Sequence, residues 1–322
     1  MKEKGFTLLE LILATGFTAL FIGLVLESGE KTNFLIKTQN EKSQLRQNLR
    51  GAIEAMSINI RQTGQVVSSN FQAVELVNGD DGEPDSLTIR YNKFQRPIGV
   101  CTKINRAYPT PRVHIFRQNA ITDYDGTTEP APNFTCKNYS SDMNLRLVIT
   151  DERTANNNQP IPMYIFDTLN NVGEFFMMTN YNTLNSNPFS GARRTYFETT
   201  KAWENNYPQD YSTIYYLAAY KYELIEENPA ETDPDKKTFI LKSTDLATNT
   251  EQKIAFGITD FQATIDYTDD AGDIVTEEEI PTGLSWTKIQ SVNVKLKGVA
   301  FERGKKVIDT STSSFAIRNE AS

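Results

Sequence analysis

The first feature of the chain is an apolar run from Phe6 to Leu26, in which Glu10 is the only charged residue. At about 1.5 Å per helical residue this run spans roughly 30 Å, the thickness of a bilayer's hydrocarbon core. It is longer than the apolar core of a secretory signal. Lys2 and Lys4 precede it and Glu27 follows it. Because positive charge favours the cytoplasmic side, we expect a membrane-spanning helix that exports the rest of the chain.

Behind this run, apolar residues recur every three or four positions, which is the period of an amphipathic helix. Gly64 follows as a helix stop, so we predict one helix over residues 6–64, with Gly23 and Gly29 as candidate bends. Its back half needs cover from the protein's own sheet, whereas its front half needs lipid or other subunits. The residues of the predicted stripe are Leu45, Leu49, Ala52, Ile53, Met56 and Ile60.

After the helix the period changes to two, which is typical of strands. A helix followed by many short strands, without alternating helices, predicts an α+β protein in which the helix packs on an antiparallel sheet. The predicted strands carry the apolar residues Leu87, Ile89 and Tyr91; Leu145, Leu147 and Ile149; Tyr220, Tyr222 and Leu224; Phe239 and Leu241; Ile254, Phe256 and Ile258; Phe261, Ala263, Ile265 and Tyr267; and Val292, Val294 and Leu296.

The stretch from about residue 101 to residue 210 is rich in Asn, Thr, Ser, Pro and aromatic residues, and we interpret it as a large loop-rich insertion. Thr154–Pro162 and Asn180–Ser190 are predicted to be loops. Two hypotheses remain open for its aromatic residues. They anchor a binding partner, or they form a small core of the insertion itself. These residues are Tyr181, Tyr196, Trp203, Tyr207 and Tyr211.

The chain has two cysteines, Cys101 and Cys136. Disulfides persist in the compartments that receive exported domains, so we predict that the two are joined. In the chain-entropy treatment, closing a loop of this length contributes roughly 3.5–4 kcal/mol. Two free buried thiols are the alternative.

Composition narrows the function classes. An apolar fraction of 39% predicts a folded protein, and the net charge of −8, with basic residues scattered, argues against nucleic acid as a partner. His114 is the only histidine, which excludes a zinc site of several His ligands, and it is predicted to be structural. No phosphate-binding or nucleophile-elbow motif is present. We therefore predict no enzymatic activity, no cofactor and no resident metal.

Two acidic stretches, Asn78–Asp85 and Asp266–Asp273, carry several oxygen ligands that calcium prefers. Neither has the spacing or the closing Glu of an EF-hand. Their Asn-Gly, Asp-Gly and Gly-Asp pairs are ordinary turn chemistry. We interpret both as solvated turns.

Glu10 is the anomaly of the apolar run, because an acid at mid-membrane costs about 2.5–3.5 kcal/mol and needs a partner. The residues Gly5-Phe6-Thr7-Leu8-Leu9-Glu10 resemble the prepilin signature, in which a short charged leader ends in Gly and a Glu is the fifth residue of the mature chain. The resemblance implies three parts: a leader over residues 1–5, a membrane and assembly helix over residues 6–64, and an exported globular domain over residues 65–322.

Membership of this family implies that a prepilin peptidase cuts after Gly5 and that the new terminus at Phe6 is N-methylated. The exposed α-amino group is mostly protonated at neutral pH. Glu10 lies one helical turn from it and reaches its own terminus or, as the family implies, the Phe6 amine of a neighbouring subunit. That contact fixes the axial register of a filament. The alternative is a plain signal anchor whose Glu10 lies near the membrane interface.

The C-terminal fifth of the chain is similar to PilW-type minor pilins and J-type pseudopilins. The similarity rests on Ile258–Tyr267, Trp286, Ile289–Leu296 and Phe315–Asn319. It implies a minor pilin near the tip of a type IV pilus, where it helps to initiate assembly. Expected partners are other minor and major pilins, the prepilin peptidase and the inner-membrane assembly platform.

The resemblance places the protein in the inner membrane with a periplasmic domain before assembly, and in the extracellular pilus afterwards. The alternatives are a J-type pseudopilin of type II secretion and a membrane-anchored periplasmic binding protein or enzyme. The length of 322 residues favours the pilus over the pseudopilus.

Overall fold

A computed structural model describes most of the chain. The described residues are 8–79, 83–94, 97–107, 112–117, 121–122, 128–129, 149, 151, 153–154, 159–186, 192–199, 202–209, 211–233, 237–302 and 305–317.

One long helix, α1 (Leu8–Gln62), begins the fold. Its 55 residues extend for about 80 Å, and the helix continues without a break through Gly23 and Gly29. It ends where predicted, because Gly64 adopts a positive φ of 79° and donates its N–H to the carbonyl of Arg90. The predicted single helix is thus confirmed over its described residues.

The strands that follow form several antiparallel sheets. Their bounds are β1 (Val74–Val77), β2 (Ser86–Asn92), β3 (Ile98–Gly99), β4 (Arg112–Arg117), β5 (Ile121–Thr122), β6 (Thr128–Glu129), β7 (Ile161–Asp167), β8 (Val172–Met178), β9 (Asn180–Ser186), β10 (Ala192–Glu198), β11 (Ser212–Tyr215), β12 (Leu217–Glu226), β13 (Phe239–Asp245), β14 (Thr250–Thr268), β15 (Ile274–Glu277), β16 (Ile289–Glu302) and β17 (Lys305–Ala316).

The main sheet has the order β1-β2-β12-β13-β14-β16-β17, with β15 paired to β14. The back half of α1 packs on β14, β16 and β17. All six residues of the predicted helical stripe are buried there. Gly298 of β16 permits the close approach, because a Cβ at this position would lie 2.8 Å from the Leu45 side chain. The expected α+β architecture, a long helix on antiparallel sheet, is therefore present.

One change in the alternation of buried and exposed residues along β14 was not predicted. Phe256 is 49% exposed, whereas Ala255 and Ile258 are buried. The cause lies at Gly257, which has a positive φ of 67°, next to irregular pairing with β13 and β16. An extra residue in one strand reverses the faces of the residues beyond it. The prediction that Phe256 faces inward with Ile254 and Ile258 is therefore wrong.

The middle of the chain forms further strands. A four-stranded sheet has the order β3-β11-β7-β8, and a three-stranded sheet has the order β4-β10-β9. The predicted loop at Asn180–Ser190 is wrong over Asn180–Ser186, which is strand β9 paired with β10. The polar side chains misled the prediction, since a strand needs only its backbone groups to pair. The predicted loop at Thr154–Pro162 is wrong at its two ends, because Thr154 is helical and Ile161 and Pro162 lie in β7. Gln159 and Pro160 have no regular secondary structure, as predicted, and residues 155–158 lie outside the described residues.

The predicted strand at Leu145, Leu147 and Ile149 is only partly within the described residues. Leu145 and Leu147 lie outside them, while Ile149 is helical and buried. The alternation of Leu145, Leu147 and Ile149 with polar residues indicated a strand. A helical turn can bury the single side chain of Ile149 equally well.

Candidate assembly surface on the N-terminal helix

Of the three predicted processing and assembly residues, only Glu10 lies within the described part of α1. Gly5 and Phe6 are outside the described residues. Glu10 lies in the first turn of α1, and its side chain is also outside the described part. The cleavage after Gly5, the N-methylation of Phe6 and the contact of Glu10 therefore stay predictions.

The described part of the chain does not cover the front half of α1. Every residue between positions 8 and 33 whose side chain is described is exposed. The large apolar side chains of this segment are 53–78% exposed, and they are Leu8, Leu9, Leu11, Ile12, Leu13, Phe17, Leu20, Phe21, Ile22, Leu24, Val25 and Leu26. A continuous apolar surface of this size requires lipid or protein around it.

Hydroxyl groups of this segment are satisfied inside the helix. Thr15 donates to the carbonyl of Leu11 at 3.0 Å, and Thr18 donates to that of Ala14 at 2.7 Å. A donor satisfied in this way needs no water, which suits an apolar surrounding. By length and composition, α1 can cross a membrane.

The back half of α1 is fixed to the sheet by polar contacts on both flanks. Arg46 pairs with Asp309 of β17 at 2.5 Å, and Asn48 donates to the carbonyl of Phe256 at 2.7 Å. Farther along, the Asn59 amide donates to the Tyr222 hydroxyl at 2.9 Å and accepts from Tyr91 at 3.2 Å. The sequence pattern gave no signal for Asn59, because a lone Asn on a helix is most often solvated.

The end of α1 is held by Trp286. Its side chain is 3% exposed, and its indole N–H donates to the carbonyl of Ser68 at 2.9 Å. The ring lies where a side chain on Gly64 would be, since a Cβ there would come within 2.0 Å of it. Trp286 was singled out in the sequence only as part of a C-terminal resemblance. Trp286 therefore links the end of α1 to the segment that directly precedes β16.

No protein-family model, curated protein or solved structure matches this chain. The family resemblance therefore rests on the chain's own residues, chiefly Gly5, Phe6 and Glu10.

The aromatic residues of the middle region belong mostly to a second buried core. Tyr196, Trp203 and Tyr207 are at most 4% exposed, so they are not available as surface anchors. Tyr181 is half-buried against that core, whereas Tyr211 is 47% exposed. Of the two hypotheses, the small core is the one that the buried residues support.

Glu174 organises this core and was missed in the sequence. Its carboxylate is 7% exposed and accepts the Tyr207 hydroxyl at 2.8 Å and the backbone N–H groups of Glu204 and Asn205 at 3.1 and 3.2 Å. Burial is the main cause that raises the pKa of Tyr207, and the hydrogen bond to Glu174 is the second cause. These donors balance the cost of a buried carboxylate, so this cluster is a structural support.

Replacing Trp203 by Ala should loosen this second core. Its ring packs against Phe176 and Tyr207, with centroids 5.3 and 5.8 Å apart, and removal of a buried Trp costs roughly 3–5 kcal/mol. We expect faster proteolysis between residues 159 and 215, measured by mass spectrometry of the fragments. Tyr211→Ala is the matched control and should cleave at the wild-type rate. Equal rates for both variants would contradict the core assignment.

Cys101 is buried and disulfide-bonded. The partner that we predicted, Cys136, lies outside the described residues, so the pairing of these two residues stays a prediction. Cys101 is tied to strand β4, because its N–H donates to the carbonyl of His114 at 2.7 Å. His114 itself lies in β4 beside Tyr196, which agrees with the predicted strand position.

Within the stretch Asp266–Asp273, the last five residues, Asp269–Asp273, form the predicted turn between β14 and β15, whereas Asp266, Tyr267 and Thr268 belong to β14 and pair with β15. Asp269 accepts the N–H groups of Ala271 and Asp273, and Lys288 beside Asp270 holds the pKa of that carboxyl below its ordinary value. In the described part of the chain, no three His, Cys, Asp or Glu residues are grouped as metal ligands.

The other acidic stretch, Asn78–Asp85, is described only at its ends. Asp85 is 2% exposed and fills a gap beside β14, where its carboxylate accepts the N–H of Ala263 at 2.7 Å. Its own N–H donates to the carbonyl of Phe261. Asp85 therefore replaces a missing strand partner.

Proposed function

We propose that this protein is a minor subunit of a type IV pilus, cleaved after Gly5 and assembled through α1. The observation that carries the proposal is the pairing of a prepilin-like leader with a helix whose apolar front half has no cover in its own chain. Glu10 then pairs with the Phe6 amine of an adjacent subunit. The protein sits near the filament tip with other minor pilins and helps to start assembly.

In this proposal, lipid surrounds the front half of α1 only before assembly. Before assembly, the front half of α1 lies in the inner membrane and the sheet lies in the periplasm. In the filament, helices of other subunits replace lipid around the same apolar surface. The support is that this surface is continuous and that hydroxyls such as those of Thr15 and Thr18 are internally bonded, which suits both surroundings.

The mass of the mature protein tests this proposal. We expect a chain that lacks residues 1–5 and carries one additional methyl group on Phe6. Gly5→Val should keep the leader, because a branched side chain blocks the cut, whereas Thr7→Ser should be processed normally. A mature chain that begins at Met1 would contradict the proposed function, since the positive terminus at Phe6 would never form.

A further inference from the structure

The outermost strand of the main sheet, β17, has one free edge. In the described part of the chain it pairs only with β16. The N–H of Ile317 donates to the carbonyl of Gln290, which lies directly opposite in the continuous register of this pair. Alternate residues of an antiparallel strand bond to the same side. The residues whose backbone groups therefore point away from β16 are Lys306, Ile308, Thr310, Thr312, Ser314 and Ala316.

This edge has only part of the usual protection against added strands: it carries charges at Lys305, Lys306 and Asp309, and the Asp309 carboxylate accepts the N–H of Thr310. It is 12 residues long and contains no Pro, and its pairing with β16 shows no bulge. The opposite edge strand, β1, has 4 residues. Long regular edges are normally shortened, bulged or covered. An uncovered edge of this length is suited to accept another strand.

Both faces beside this edge carry positive charge, although the chain is acidic overall. On the face away from α1, Lys295, Lys297 and Lys306 are exposed. On the face toward α1, Arg46 reaches Asp309, and Arg50 follows one turn later and is exposed. Asp309 is the only acidic residue in the sequence of β17. The charge therefore favours an acidic strand.

A second copy of this chain does not fit as an antiparallel partner. Arg46 contacts Asp309, and the Arg61 guanidinium lies 5.8 Å from the ring centre of Phe315. Between these contacts α1 advances about 22 Å and β17 advances about 20 Å in the same direction. The two elements are thus nearly parallel. Antiparallel pairing of two β17 strands would send the two membrane helices in opposite directions.

We propose that the free edge of β17 binds an extended acidic segment of a different polypeptide as an added antiparallel strand. The exclusion of a second copy, paired antiparallel through its own β17, rests on the proposed membrane anchorage of α1. The register and the charge of the edge do not depend on it. Thr312 lies near the middle of β17, and its backbone N–H and carbonyl both point outward. It should therefore make two backbone hydrogen bonds to the added strand.

Binding of two synthetic peptides to the full chain in detergent tests the edge. One peptide alternates Thr and Glu over the 12-residue length of β17, and the other alternates Thr and Lys. We expect the acidic peptide to bind at least about tenfold more tightly, with a loss of affinity at high salt. Thr312→Pro should weaken it at least about tenfold, because Pro removes an outward donor, whereas Thr312→Val should keep it. Circular dichroism should show unchanged folding for both variants, since edge strands tolerate Pro.

Equal binding of the two peptides, or full binding by a folded Thr312→Pro variant, overturns the proposal. A photo-cross-linking residue at position 312 then identifies the occupant in cells. The expected product is an acidic segment of another polypeptide, and a product with a second copy, or none, overturns the proposal. The mass of the N-terminus, measured on the same sample, shows independently whether the proposed pilin processing holds.

Discussion

Glu10→Ala is expected to leave cleavage after Gly5 intact and to stop the mature protein from entering filaments. The peptide bond that is cut precedes the helix, so the substitution leaves the cut site unchanged. Inside a filament, the Phe6 amine of the neighbouring subunit would lose its carboxylate in an apolar surrounding. Leaving one member of a buried ion pair alone costs roughly 3–5 kcal/mol, which corresponds to about a hundredfold or more in the association constant.

The measurement compares the amount of processed protein in sheared filaments with the amount left in the membrane. Glu27→Ala is the matched control, because Glu27 is on the same helix but is exposed, and its ion pair among the described residues is with Lys31 at 2.7 Å. Exposed pairs contribute about 0–1 kcal/mol, so this variant should assemble normally. Normal assembly of Glu10→Ala would remove the basis for a filament built through this contact. It would favour a plain membrane anchor.

The sequence predicted the elements whose pattern repeats. The six apolar residues of α1 from Leu45 to Ile60 are all buried between the helix and the main sheet. The alternating residues predicted for β2, β12, β13 and β16 lie in strands. A regular period survives folding because one face of each element meets a single neighbour. The Gly64 stop was also correct, since few other residues adopt a positive φ there.

The sequence predictions were wrong where the pairing of strands, and not the pattern of side chains, decides the structure. Asn180–Ser186 is mostly polar, with Tyr181 and Leu184 as its only large apolar or aromatic residues, and it still forms β9 because β10 satisfies its backbone. Phe256 turns outward because Gly257 shifts the register by a local irregularity. Neither partner strand nor bulge is visible in the local composition.

The candidate site was predictable for a different reason. A carboxylate in an apolar run is chemically conspicuous, so Glu10 stands out without any structure. The contact that we propose for it lies between subunits, and one chain cannot contain that contact. Asn59 and Glu174 were missed because their importance comes from distant partners, Tyr222 and Tyr207, which local sequence does not reveal.

Gly64→Ala should destabilise the junction between α1 and the sheet, whereas Gly51→Ala on the same helix should not. A non-glycine residue at the positive φ of Gly64 costs roughly 1–2 kcal/mol. The added Cβ would also lie 2.0 Å from the Trp286 ring, and overpacking of a filled site costs roughly 1–3 kcal/mol. The sum is about 2–5 kcal/mol, enough to lower the unfolding temperature clearly.

At Gly51, the same change from Gly to Ala should raise the stability of the protein instead of lowering it. It is exposed in the helix interior, and no atom lies within 4 Å of its would-be Cβ. Ala in place of Gly at such a position stabilises a helix by up to about 1 kcal/mol. Thermal unfolding of the full chain in detergent, followed by circular dichroism, should therefore move in opposite directions for the two variants. Equal shifts would contradict the role of Trp286 in holding the helix end.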